Sequence, residues 1–121
     1  MAVVRYLVRN VDEAVAFYTR HLGFTQESRW GPAFAIVAKG DLRLWLSGPQ
    51  SSAARPMPDG RQPVPGGWNR IVVETDDLPS AVERMQRAGV RFRNEIVSGP
   101  GGRQILVEDG DGNPVELFEP A

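Results

Sequence analysis

The sequence predicts an α+β fold built as two βαβββ modules in pseudo-symmetric repeat, with the helices on the outer face. Three observations predict it. Apolar residues at helical spacing follow a capping residue twice, at Asn10 and at Asp77. Each helical segment is preceded by a short β-branched run and followed by further short apolar runs bounded by turn residues. The copies also align directly: Asn10 with Asp77, Ala14-Val15 with Ala81-Val82, and Val3 with Arg70. Internal repetition of this kind joins two half-units that bury a shared face.

The first strand spans Val3 to Arg9. The helix after it is capped by Asn10, with Glu13 three residues on as in a capping box. Val11, Ala14, Val15, Tyr18 and Leu22 form its apolar face, and Gly23 stands where a C-terminal cap belongs. Phe34–Val37 and Leu42–Leu46 read as strands joined by a turn at Lys39-Gly40-Asp41. In the second module Asn69–Thr75 is a strand, and Asp77 caps a helix whose first turn tolerates Pro79. Leu78, Val82, Met85 and Ala88 supply its apolar stripe, and Gly89 ends it. Val90–Ile96, Gln104–Val107 and Val115–Phe118 complete the strands, with a tight turn at Asp111-Gly112-Asn113. The sequence thus divides into module one (1–47), a Ser/Pro/Gly-rich linker (48–67) and module two (68–121), together one domain. The loop from Ser47 to Gly67 reads first as a connector; as a lid, it would use Met57 and Trp68.

Composition narrows the function. A chain of 121 residues suffices for one domain, and 41% hydrophobic with 24% charged residues is a globular balance. The formal net charge is −1, and the 14 basic residues are spread among 15 acids, so neither nucleic acid nor a membrane surface is an expected partner. Without cysteine there is no disulfide, thiolate nucleophile or thiolate metal site. No leader or membrane span is recognisable, which makes the cytoplasm the default expectation.

Strand alternation sorts side chains by face. Leu42, Leu44 and Leu46 should pack on the helix, which turns Arg43, Trp45 and Ser47 the other way. The same rule sends Val4, Tyr6 and Val8 to the helix side and Val3, Arg5, Leu7 and Arg9 away from it. In module two it sends Arg70, Val72, Glu74, Glu116 and Phe118 to the face opposite Ile71, Val73, Val115 and Leu117. The candidate ligand-binding set on the concave side is therefore Arg5, Phe34, Arg43, Trp45, Ser47, Trp68, Arg70, Gln104 and Phe118, with Glu116 as the candidate catalytic group.

The runs NVDEAVAFYTRHLGF, TDDLPSAVERMQRAGVRF and DGDGNPVELFEP resemble the first helix, second helix and final strand of the vicinal-oxygen-chelate superfamily of glyoxalases, bleomycin-resistance proteins and extradiol dioxygenases. The resemblance covers almost the whole chain. It implies an eight-stranded, partly open, barrel-like sheet around a cleft, and a homodimer. In metal-dependent members a histidine precedes the helix cap by seven residues and a glutamate sits on the last strand. Those positions here are Val3, Arg70, Trp45 and Glu116, so only one of four can ligate a cation. The only histidine, His21, lies at a helix C-terminus, where a partly positive ring is comfortable. The resemblance thus implies no metal and no cofactor, and argues against the metal-dependent activities of the superfamily. Two readings stand. One is a metal-free protein of the bleomycin-resistance type that sequesters an aromatic, anionic ligand such as a natural-product antibiotic. The other is an enzyme of the lyase, isomerase or dioxygenase class working without the standard metal, with Glu116 as general base and an arginine stabilising an oxyanion.

Overall fold

The structure is a computed structural model describing residues 1–121. The chain divides into two units, Met1–Gly66 and Gly67–Ala121. In the first, strand β1 (Ala2–Leu7) leads to helix α1 (Val11–His21), followed by β2 (Thr25–Trp30), β3 (Phe34–Lys39) and β4 (Leu42–Ser47). The sheet order is β1-β4-β3-β2. The pairing of β1 with β4 is parallel and the other two pairings are antiparallel, because a helical crossover separates β1 from β4 while short turns join β2, β3 and β4.

Asn10 accepts the Glu13 amide at 2.9 Å and so starts α1. Gly23, at φ 74°, lets the chain leave the helix in a left-handed conformation. The helix buries Val11, Ala14 and Tyr18, with Leu22 and Phe24 beyond it. Tyr18 meets Tyr6 and Phe24 edge-on, at 6.4 and 5.6 Å between ring centres. Ala35, Val37, Leu44 and Leu46 complete this core. Strand β2 is one of two strands not delimited in the sequence, the other being Val97–Gly99. Its run TQESRW has no apolar alternation and holds a register shift between Gln26 and Ser28, so no period-2 signal marks it.

The second unit repeats the plan. Strand β5 (Ile71–Glu74) is followed by helix α2 (Leu78–Arg87), then by β6 (Arg91–Phe92), β7 (Val97–Gly99), β8 (Gly102–Glu108) and β9 (Pro114–Pro120). The order is β5-β9-β8-β6, with β7 also on β8, and β5 is parallel to β9. Ile71, Val73, Leu78, Val82, Met85, Ile105, Val107, Val115 and Leu117 are buried.

Three expectations change. The strand expected over Val90–Ile96 is broken: only Arg91 and Phe92 pair in β6, because the Asn94 side chain then takes the Leu106 amide at 2.9 Å in place of a ladder bond. Ala88 is not part of the buried stripe. It caps α2 at its C-terminal end and is exposed. The strands number nine rather than eight, in two hydrogen-bonded sheets. No helix is long and apolar enough to cross a membrane.

Two carboxylates hold the start of α2. Asp77 accepts the Ser80 hydroxyl at 2.7 Å and the Ser80 amide at 3.1 Å. Glu119, from β9, accepts the Leu78 amide at 2.7 Å and is paired with Arg103 at 2.7 Å. The hydroxyl and amide of Ser80 lower the pKa of Asp77, and Arg103 followed by the Leu78 amide lowers that of Glu119. A carboxylate depressed in the folded state contributes stability that is complete above its unfolded value of about 4 and is lost as pH falls through the folded value. The Tm should therefore fall between about pH 5 and pH 3. In the double variant Asp77→Asn/Glu119→Gln the curve over that interval should be flatter. Differential scanning calorimetry of both proteins checks this, and parallel curves would reject it.

Candidate functional site

The face of the first sheet opposite α1 carries an aromatic cluster around one arginine. Parallel register sets Arg5 beside Trp45 and Leu7 beside Ser47, and antiparallel register sets Trp45 beside Ile36, Phe34 beside Ser47 and Trp30 beside Phe34. Side chains that share a rung share a face, so Arg5, Trp45, Phe34, Ser47 and Trp30 converge. The rings of Trp30 and Phe34 are 5.2 Å apart, and those of Phe34 and Trp45 are 5.7 Å apart in an edge-to-face arrangement. Arg5 places its guanidinium carbon 4.9 Å from the Trp45 ring centre and 5.9 Å from that of Phe34. Its Nη1 donates to Ser47 Oγ at 3.0 Å, and Ser47 is fully buried. Ser47 thus orients Arg5 from beneath. Trp30 is 55% exposed, so the cluster forms a platform open to solvent rather than a filled core.

Arg43 lies on the same face, with its charge already engaged. Its Nε pairs with Glu27 at 2.8 Å and its Nη1 donates to the Gly40 carbonyl at 2.8 Å. Glu27 belongs to β2, so missing that strand hid the partner, and no alternation in TQESRW could have revealed it.

In the second unit Arg70 lies one residue before β5. Both its Nε and Nη2 donate to Glu116 Oε1, at 3.1 and 2.9 Å, and its Nη1 donates to the Trp68 carbonyl at 3.3 Å. Glu116 is only 9% exposed. Gln104 and Phe118 are register partners on β8 and β9. Trp68 is 68% exposed, and its ring lies 4.5 Å from the Arg93 guanidinium. Arg93 is held by Glu108 at 2.7 Å and by the carbonyls of Gly67 and Gly112. This brace was not legible in the sequence, since Arg93 and Glu108 sit on non-adjacent segments with no shared motif. Trp68 borders an open groove with Arg91, Phe92 and Glu108. A smaller concavity of the first unit lies at the start of α1, beside Arg9, Arg29 and Gln50. There, Arg29 is ion-paired with Asp12.

A divalent ion does not fit the four positions implied for it. Val3 is aliphatic, the Trp45 indole nitrogen only donates, and Arg70 is cationic. The remaining ligand, Glu116, spends Oε1 on that cation. Nowhere do three or more His, Cys, Asp or Glu side chains gather as a metal site would need. His21 ends α1, with its ring 5.4 Å from that of Phe17.

The sequence matches the Glyoxalase/Bleomycin resistance protein/Dioxygenase superfamily over residues 1–117. Curated proteins include no match. Among solved structures, the chain is similar to TnmS3, an antibiotic binding protein from Streptomyces sp. CB03234, with 28% identity, a TM-score of 0.74, and coverage of 98% of this chain and 93% of that one. A superfamily member from Sphaerobacter thermophilus DSM 20745 is also 28% identical, with a TM-score of 0.77 and coverage of 98% and 95%. Lactoylglutathione lyase from Agrobacterium tumefaciens shares the fold at 20% identity, with a TM-score of 0.78 and coverage of 98% and 92%.

Proposed function

Since the chain belongs to the glyoxalase/bleomycin resistance protein/dioxygenase superfamily, we propose that it is a binding protein that sequesters a flat aromatic small molecule, of the natural-product antibiotic kind, without a metal. The observation that carries this reading is the platform of half-buried Phe34 and Trp45 with exposed Trp30, assembled on one sheet face beside Arg5. A flat conjugated ring gains from stacking on such a surface, and a platform of rigid aromatics loses little conformational entropy when it binds. The resemblance to TnmS3 supports the same reading. Strands β1 and β5 each end their sheet, which suits the homodimer that belongs to this reading.

The alternative, an enzyme with Glu116 as general base, is weakened by the geometry around that residue. A base must reach the proton it removes. Glu116 is buried and its Oε1 is held by two Arg70 hydrogen bonds, which leaves only Oε2 to approach a substrate.

A tryptophan-fluorescence screen of flat aromatic antibiotics tests the reading. Saturable quenching with recovery of unchanged ligand is the expected result. Glu116→Gln should leave affinity within about 3-fold of wild type, because that change is far smaller than the loss of a charged hydrogen bond to the ligand would give. Ligand consumed by the wild type but not by Glu116→Gln would replace binding with catalysis.

A further inference from the structure

Among the arginines ion-paired with a carboxylate are Arg29 with Asp12, Arg43 with Glu27, Arg61 with Asp59, Arg70 with Glu116, Arg87 with Glu83, Arg93 with Glu108 and Arg103 with Glu119. Arg5 is different. It is set in the aromatic cluster, touches two rings and one hydroxyl, and has no carboxylate partner. A guanidinium has five donor hydrogens, and Ser47 takes one. From this bookkeeping we propose that Arg5 is the anion receptor of the aromatic platform, so that the ligand class is an aromatic monoanion whose acid group is attached to, or next to, the stacked ring. The inference rests on the binding function proposed above and specifies the ligand's charge.

Three features of the site make the assignment. Of the two arginines that β1 and β4 place on this face, Arg43 is neutralised by Glu27 and Arg5 is not. That favours one acid group over two and over a cationic ligand. The receptor is fixed in place: Ser47 is buried and cannot swing with its guest, and the rings of Trp45 and Phe34 flank the guanidinium. A prepositioned guanidinium meets a carboxylate or phenolate in a forked geometry at a small entropic cost. Finally, the guanidinium carbon is 4.9 Å from the Trp45 ring centre, so an anion on Arg5 places the adjoining ring over the aromatic platform. Arg43 and Arg70, equal candidates in the sequence, are removed from the role by Glu27 and Glu116.

The test compares two probes identical in shape, naphthalene-2-carboxylate and naphthalene-2-carboxamide, by isothermal titration calorimetry at pH 7.5. Wild type should bind the carboxylate about 30-fold more tightly than the carboxamide, the size of a charge-assisted hydrogen bond. Arg5→Gln should bring the two probes within about 3-fold of each other and Arg5→Lys should restore part of the preference, with circular dichroism melts showing that both variants fold. Equal affinities in the wild type, or a preference that survives Arg5→Gln, would overturn the assignment of Arg5 and leave the aromatic binding function standing. Failure of both probes to bind would remove the aromatic site itself and this inference with it.

Discussion

Replacing Trp45 with alanine should raise the Kd for naphthalene-2-carboxylate by about 30-fold, or about 2 kcal/mol, while the fold survives. Trp45 links the parts of the platform. Its ring is met edge-on by Phe34 at 5.7 Å and by the Arg5 guanidinium at 4.9 Å. Truncation removes the stacking surface and also leaves Arg5 without one of its two flanking rings, so apolar and polar contributions fall together. Trp45→Phe keeps a ring on the same rung and should recover most of the loss. Trp30→Ala, at the exposed rim, should cost only a fewfold. Calorimetry of the three variants separates these expectations. An unchanged Kd in Trp45→Ala would move the ligand away from this face, whatever the fluorescence screen showed.

Leu44→Ala should destabilise the protein by about 3 kcal/mol, measured by urea titration at neutral pH. Leu44 is fully buried on β4, the strand between β1 and β3. Its Cα partners are Val4 and Val37, so the missing methyl groups leave a cavity at the centre of the first core, where neighbours on both sides are fixed by the ladder. Because Trp45 and Leu44 occupy opposite faces of one strand, the two variants should divide cleanly: Leu44→Ala loses stability with ligand affinity near wild type below the transition, and Trp45→Ala does the reverse. A loss below about 1 kcal/mol for Leu44→Ala would mean that the core relaxes around the gap and is less tightly packed than the burial indicates.

The sequence by itself determined the two helices, their caps and the faces that β1, β4 and β5 bury. Those features are local. Asn10 and Asp77 hold amides only three residues away, and period-2 alternation in LRLWLS is enough to put Leu44 and Leu46 inside and Trp45 outside. The helix and final-strand motifs were sufficient to identify the superfamily. The strand β2 could not be read, because its side chains are largely polar and its register shifts, so nothing in TQESRW repeats with a period of two. The break after β6 was hidden because it depends on the Asn94 side chain competing for the amide of Leu106, twelve residues further on.

The candidate site divides the same way. Alternation brought Arg5, Arg43, Trp45 and Ser47 to one face, and that much follows from strand geometry alone. Which of the arginines carries a free charge was decided only by tertiary structure, because the neutralising carboxylates lie on other strands: Glu27 is 16 residues from Arg43, and Glu116 is 46 from Arg70. Sequence sets the faces through local periodicity. Charge pairing acts through space between distant segments, and so only the folded chain could single out Arg5.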